Sequence, residues 1–188
     1  MSASQTLLHL ETWAQPADAD DLGLLGLCAG PTLDIGCGPG RLTTALAELG
    51  HVVLGIDVVG EAVAQTRGRG GAALHRDVFG ELPGEGRWQT ALLADGNVGI
   101  GGDPVALLRR VRELLDPRGR VVVEIDPEQG GIRTGWAVLV TTAETSAPFR
   151  WSVVGPDAIE RIAERAGLAL ARTQLHGRRC SAVLEEPR

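Results

Sequence analysis

The run Leu33-Asp34-Ile35-Gly36-Cys37-Gly38-Pro39-Gly40 restricts what this chain can fold into more than any other stretch. A short apolar segment, Thr32 to Gly36, enters a glycine loop, and Leu42, Ala45, Leu46 and Leu49 then recur at helical spacing up to the stop at Gly50. Glycines suit this loop because the chain turns sharply, and because a side chain would hold the backbone away from anything lying over it. Taken alone, such a bend is equally the mark of a purely structural turn.

The pattern repeats downstream. His51 to Asp57 predicts a second strand, with the continuous apolar run of a strand buried on both faces, followed by a helix over Glu61 to Arg67. Ala72 to Arg76 and Thr90 to Ala94 predict the third and fourth strands. Asp103 is placed to cap a helix with Pro104 in its first turn and Val105, Leu107, Leu108, Val111, Leu114 and Leu115 on its apolar face. After a turn at Asp116 to Gly119, Arg120 to Asp126 predicts a fifth strand. Beyond it, Trp136 to Thr142 and Phe149 to Val154 are β-prone and could pair as a hairpin, so 127–154 reads as an excursion above the sheet. A helix over Pro156 to Ala166 and strands over Leu168 to Leu175 and Cys180 to Leu184 complete an α/β, doubly wound, mostly parallel sheet with helices on both faces. Residues 1–30 are expected to form an N-terminal helical segment, and 1–188 a single domain.

Composition narrows the partners. A net charge of -6 and a pI near 5.2 argue against nucleic acid. Lysine and tyrosine are absent, and Arg109, Arg110 and Arg112 read as a solvated helix face, with anion binding as the alternative. Three widely spaced cysteines, Cys28, Cys37 and Cys180, fit neither a disulfide framework nor a zinc cluster, and no metal site is expected. Without a leader pattern or an apolar run near the ~20 residues of a membrane span, a cytoplasmic location and no membrane partner are expected.

Asp57 ends the second strand and Asp77 follows the third, so with Asp34 three acids fall at the carboxyl ends of neighbouring strands, where ligands of open α/β sheets bind. As single residues, Asp57 and Asp77 would also serve as ordinary turn or cap aspartates. Over about Pro31 to Asp126 these residues resemble the class I S-adenosylmethionine-dependent methyltransferases, whose first motif is an acidic residue, any residue, then Gly-x-Gly-x-Gly; Asp34 to Gly40 matches it throughout. The resemblance implies a Rossmann-like seven-stranded sheet and S-adenosyl-L-methionine as cofactor. It implies that the backbone of Gly36, Cys37, Gly38 and Gly40 lies against the methionine part and that Asp34 helps hold its amino group. Asp57, with Val58 beside it, corresponds to the ribose position, Asp77 and the Val78 amide to the adenine position, and Ala94 to the backbone beside the methionine. Gln89 stands where many members carry an early fourth-strand aspartate.

Methyl transfer is an in-line displacement, so the protein mainly orients the acceptor and excludes water, with a proton acceptor required for some nucleophiles. Asp95 and Asn97, leaving the sheet edge, are the candidates for orienting the acceptor, Asp95 also as a base; both are alternatively turn residues. Asp126 could face the pocket, and Glu124 could pair an arginine within the sheet. His9, His75 and His176 receive no catalytic role. Trp136, Phe149 and Trp151 could stack on a flat acceptor or simply pack beneath the excursion, and Trp13 is a lid or an anchor. The acidic surface favours a small-molecule acceptor, methylated on oxygen, nitrogen or carbon. Two alternatives stand beside this one: a non-catalytic S-adenosylmethionine-binding sensor or scaffold, and an NAD(P)-dependent oxidoreductase, whose third glycine would fall where this chain has Arg41.

Overall fold

The computed structural model describes residues 6–141 and 145–187, apart from the side chain of Thr12. Its strands are β1 (Thr6–His9), β2 (Thr32–Ile35), β3 (Val53–Asp57), β4 (Ala73–His75), β5 (Trp88–Leu93), β6 (Leu115–Ile125), β7 (Ile132–Val140), β8 (Phe149–Val154), β9 (Ala169–His176) and β10 (Arg179–Glu185). The α-helices are α1 (Ala19–Leu25), α2 (Arg41–Glu48), α3 (Gly60–Gly68), α4 (Pro104–Leu114) and α5 (Pro156–Ala166), with short 3-10 turns at Leu10–Ala14 and Asn97–Gly99.

Seven strands hydrogen-bond in the order β4-β3-β2-β5-β6-β10-β9. All neighbours are parallel except β10, which runs antiparallel to both β6 and β9. Strand periodicity distributes the apolar side chains between the two faces. Val121 and Val123 of β6, with Ala182 and Leu184 of β10, join α4 and α5 in one core, whereas Val122 and Val183 join α1 and α2 in the other. The Rossmann-like, doubly wound architecture is therefore present, with helices on both faces. No helix among the described residues is long and apolar enough to cross a membrane.

The chain leaves β2 toward β3 and β4 and then returns to the other side of β2 as β5. This reversal opens a crevice at the carboxyl ends of β2 and β5, the place where such sheets take ligands. A second sheet, β1-β7-β8, covers it: β7 and β8 pair antiparallel, and β1 adds parallel to β7. Ile100 bridges Trp151, and the Ser152 hydroxyl donates to the Gly102 carbonyl at 3.0 Å, fixing this sheet to the segment that follows β5.

Four expectations need correction or narrowing. Within 1–30, Thr6–His9 is a strand rather than helix, because β7 offers it a ladder; residues 1–5 lie outside the described residues, as does Thr142 at the end of the first β-prone stretch. Leu49 is 55% exposed, lying past the buried face of Leu42 and Leu46. The turn at Asp116 to Gly119 survives as a bulge inside β6, since Trp88 pairs Leu115 and Thr90 pairs Arg120, leaving four residues opposite Gln89. Arg110 is no free solvated cation: it pairs Glu85 at 2.5 Å and donates to the carbonyls of Val78 and Gly80.

Asp103 caps α4 by accepting from the Val105 and Ala106 amides at 3.1 and 3.0 Å, which aims the helix so that Leu107, Leu108 and Val111 enter the core fully buried. Leu108→Ala should lower unfolding stability by about 2 to 5 kcal/mol in urea titration; a loss below about 1 kcal/mol would mean that this side chain does not fill the core as described.

Candidate active site

The glycine loop is held from three directions. The amides of Gly36 and Cys37 both donate to the Ile56 carbonyl at 2.8 and 3.0 Å, bending the chain off β2 while tying it to β3. The Thr66 hydroxyl of α3 donates to the Gly38 carbonyl at 2.8 Å, and the Asn97 amide donates to the Ile35 and Gly36 carbonyls at 2.9 and 3.0 Å. Gly36 and Gly40 have φ of 74° and 89°, and a Cβ there would meet Asn97 at 2.7 Å and Thr66 at 2.6 Å, so no other residue fits either position without displacement. By contrast, a Cβ at Gly38 would meet nothing within 4 Å, since that backbone faces a cavity of about 500 Å³.

The acids converge on that cavity. Asp34, at the end of β2, is 2% exposed and accepts the Thr43 hydroxyl at 2.6 Å; burial pushes its pKa up to about 7. Asp57, at the end of β3, accepts the Gly38 amide on Oδ2 at 2.9 Å and the Val59 amide on Oδ1 at 2.8 Å, and burial raises its pKa against those bonds. Each oxygen has a second lone pair left to accept from a ligand. Asp77 accepts the Phe79 amide at 3.0 Å in the loop after β4. Together with Gly36, Cys37 and Gly38, the residues Val58, Val78 and Ala94 complete the floor, whereas Gly40 lies outside the lining and serves as the left-handed N-cap of α2.

Asp95 and Asn97 line the cavity as well, with the Asp95 carboxylate and the Asn97 amide nitrogen engaged by neighbouring groups. Arg41 Nη2 holds both Asp95 oxygens at 2.9 and 2.7 Å, and Arg179 Nη2 approaches Asp95 Oδ1 at 3.1 Å. Both Asp95 oxygens are thus held by guanidinium groups, and in this structure the carboxylate ties the chain after β5 to α2 and β10. Asn97 likewise uses its amide nitrogen on the loop rather than on an acceptor. The pairing extends into a network: Arg41 also pairs with buried Asp21 of α1, and Arg179 reaches Asp21 at 2.8 Å and Glu124 of β6 at 2.6 Å. Glu124 Oε2 in turn accepts the Asp95 amide at 2.6 Å. Asp95 is the one non-glycine residue with positive φ among the described residues, at 52°, a conformation that these bonds impose.

Sequence reasoning anticipated an arginine partner for Glu124 but not its identity, and it missed Arg41, Asp21 and Arg179. Arg41 had a visible signal, a charge following the last loop glycine at the start of an otherwise apolar helix face. Asp126 does not face the cavity; it accepts the Glu128 amide at 2.9 Å in a turn. The thiols of Cys28, Cys37 and Cys180 are buried and their pKa values raised by that burial, in Cys28 to about 12, which leaves them unreactive. Among the described residues, no group of three or more His, Cys, Asp or Glu side chains is arranged to hold a metal ion.

Because the folded state raises the Asp34 pKa from 3.8 to about 7, ionising it opposes folding. The protein without ligand should therefore lose stability as pH rises from about 4 through 7, by about 4 kcal/mol at most from this group. Asp34→Asn should remove that loss and make the ligand-free protein more stable than wild type at pH 8 but not at pH 4, read by urea unfolding; identical pH dependence in the two proteins would contradict the buried, ionisable placement of Asp34.

Residues 32–119 match a family model described as a methyltransferase domain. No curated protein matches the chain by sequence. Among solved structures, an S-adenosylmethionine-dependent methyltransferase from Bacteroides fragilis in complex with S-adenosyl-L-homocysteine superposes with a TM-score of 0.80 at 20% identity, covering 95% of this chain and 81% of that one. The 1,6-didemethyltoxoflavin-N1-methyltransferase of Burkholderia thailandensis gives a TM-score of 0.71 at 20% identity, with 95% and 82% covered. A glycopeptide N-methyltransferase complexed with S-adenosyl-L-methionine gives 0.67 at 18% identity, with 91% and 95% covered. Identities this low carry the fold, and the match over 32–119 carries the domain type. The chain thus has the fold of these methyltransferases, and its residues 32–119 match a methyltransferase domain.

Proposed function

We propose that this protein transfers a methyl group from S-adenosyl-L-methionine to a small-molecule acceptor held between the glycine loop and the β1-β7-β8 sheet. The observation that carries this reading is the cavity itself, about 500 Å³, floored by the loop and its acids and roofed by a separate sheet. A covered space of that size suits a cofactor and a compact acceptor rather than a polymer lying across an open groove.

The residues fit the donor. Open space above Gly38 lets an extended ligand approach the backbone, the unused lone pairs of Asp57 suit two ribose hydroxyls, and Asp77 with the Val78 amide suits an adenine edge. Asp34 offers a carboxylate to an ammonium group, which would favour its ionised form. The donor supplies an activated methyl group on a positively charged sulfur. The acceptor's lone pair forms the new bond to that carbon as the carbon–sulfur bond breaks with its electrons retained on sulfur, and any proton on the acceptor atom passes to solvent. The chain's own task is to align the two molecules and exclude water, for which the roof and the fixed Asp95–Asn97 corner are suited.

Arg41 stands where a dinucleotide site needs its third glycine, and its guanidinium is tied to Asp21 and Asp95, which disfavours the oxidoreductase alternative. The neighbours that act on didemethyltoxoflavin and on a glycopeptide support a modest-sized acceptor, and three separate buried thiols suit a reducing cytoplasm.

Purified protein given methyl-labelled S-adenosylmethionine and a panel of small acceptors should label an acceptor and release S-adenosylhomocysteine. Asp57→Ala should weaken calorimetric affinity for S-adenosylhomocysteine by about 1 to 3 kcal/mol while keeping the fold. Unchanged affinity would remove Asp57 from the site, and tight cofactor binding with no turnover across a broad panel would favour the sensor or scaffold alternative.

A further inference from the structure

The chain has only four tryptophans, two phenylalanines and no tyrosine, yet four of these six rings, Trp13, Phe79, Phe149 and Trp151, line the one cavity above the glycine loop. They arrive from three separate parts of the chain: the 3-10 turn after β1, the loop after β4, and β8. The other two rings are occupied elsewhere. Trp88 donates its indole N–H to the Pro83 carbonyl at 3.0 Å, and Trp136 carries the Arg150 guanidinium 5.2 Å from its ring centre.

Ladder register explains how the roof aims its rings. Phe149 and Trp151 are two residues apart on β8 and so point to one face. Ala137 lies opposite Phe149, and Leu139, two residues further along β7, lies opposite Leu8 of β1, so one continuous apolar face crosses all three strands. The Phe149 and Trp151 rings sit 6.1 Å apart at 78°, forming two walls of a corner. A flat guest can lie on one wall while its edge meets the face of the other. This corner opens beside the reacting end of the floor: a Cβ on Gly96, the residue after Asp95, would come within 3.8 Å of Trp151.

The polar side chains of this roof are few. The Ser146 hydroxyl accepts the Leu139 amide at 2.9 Å and donates to the Ala147 carbonyl at 2.9 Å, and Arg150 is held against Trp136. Beside Arg150, ring faces and aliphatic side chains are what this part of the cavity presents to an acceptor.

We infer that the acceptor is a planar aromatic or heteroaromatic small molecule, seated in the Phe149–Trp151 corner with its nucleophilic ring atom or ring substituent turned toward Gly96. This rests on the methyl-transfer reading and assigns the substrate class of that same site. The lone pair that attacks the methyl carbon belongs to the ring or its substituent, S-adenosylhomocysteine leaves with the sulfur's electron pair, and any displaced proton goes to solvent.

The test uses the full chain saturated with S-adenosylhomocysteine and titrated with 8-hydroxyquinoline, 1-aminonaphthalene, ethanolamine and glycine, followed by calorimetry and tryptophan fluorescence. Ring probes should bind at least about tenfold more tightly than the aliphatic ones, and Trp151→Leu should weaken them about tenfold. Trp151→Phe should restore most of that loss, Trp136→Leu should change nothing, and S-adenosylhomocysteine affinity should be the same in all four proteins. The inference is overturned if ethanolamine or glycine binds as well as the rings, or if ring binding survives both Trp151→Leu and Phe149→Leu. It is also overturned if Trp151→Leu loses S-adenosylhomocysteine along with the rings. Failure of the wild-type protein to bind S-adenosylhomocysteine at all is a separate signal, and would strike at methyl transfer rather than at the acceptor class.

Discussion

Two arginines, Arg41 and Arg179, hold three carboxylates where β5, β6 and β10 meet, and the shape of the site depends on that bond set. Withdrawing five charged side chains from water, Asp21 and Arg41 buried and Asp95, Glu124 and Arg179 half-buried, is not an efficient way to stabilise a fold, since a well-packed apolar cluster of similar size does as well or better. What the network supplies is position. It draws the Asp21 end of α1 onto the sheet, keeps Asp95 in a left-handed conformation, and so turns the chain after β5 far enough for Asn97 to reach back to the glycine loop. The glycine loop and the turn after β5 then share one support.

With three carboxylates against two guanidinium groups the network carries a net negative charge, and Asp34 and Asp57 add to it at the same edge. Asp34 expresses the resulting tension most clearly, its carboxyl pushed up by burial to about 7. A cationic ligand relieves that tension, because an ammonium or sulfonium nearby favours the ionised carboxylate.

Much of this was legible in the residues because it is local. Strand, glycine loop and helix over Thr32–Glu48 follow from spacing alone, as do the Asp103 cap and the bounds of α5, since each signal lies within a few residues of its consequence. The network was not legible. Arg41 and Asp95 are 54 residues apart and Arg179 and Asp95 are 84 apart, and no period or motif joins them. The N-terminal strand was misread for the same reason: Thr6–His9 is extended because Ala137–Val140 lies beside it, far along the chain. Among the aromatics, that Phe149 and Trp151 share one face while Trp136 lies on the other emerges only from the ladder register.

The most direct measurement is the crystal structure of this protein with S-adenosyl-L-homocysteine. The ribose hydroxyls should lie at hydrogen-bond distance from Asp57, about 2.5 to 3.0 Å, with the adenine beside Asp77 and Val78 and the sulfur facing the Phe149–Trp151 corner across Gly96. Density for the ligand anywhere other than over Gly36–Gly38, or an empty loop at saturating ligand, would contradict the account.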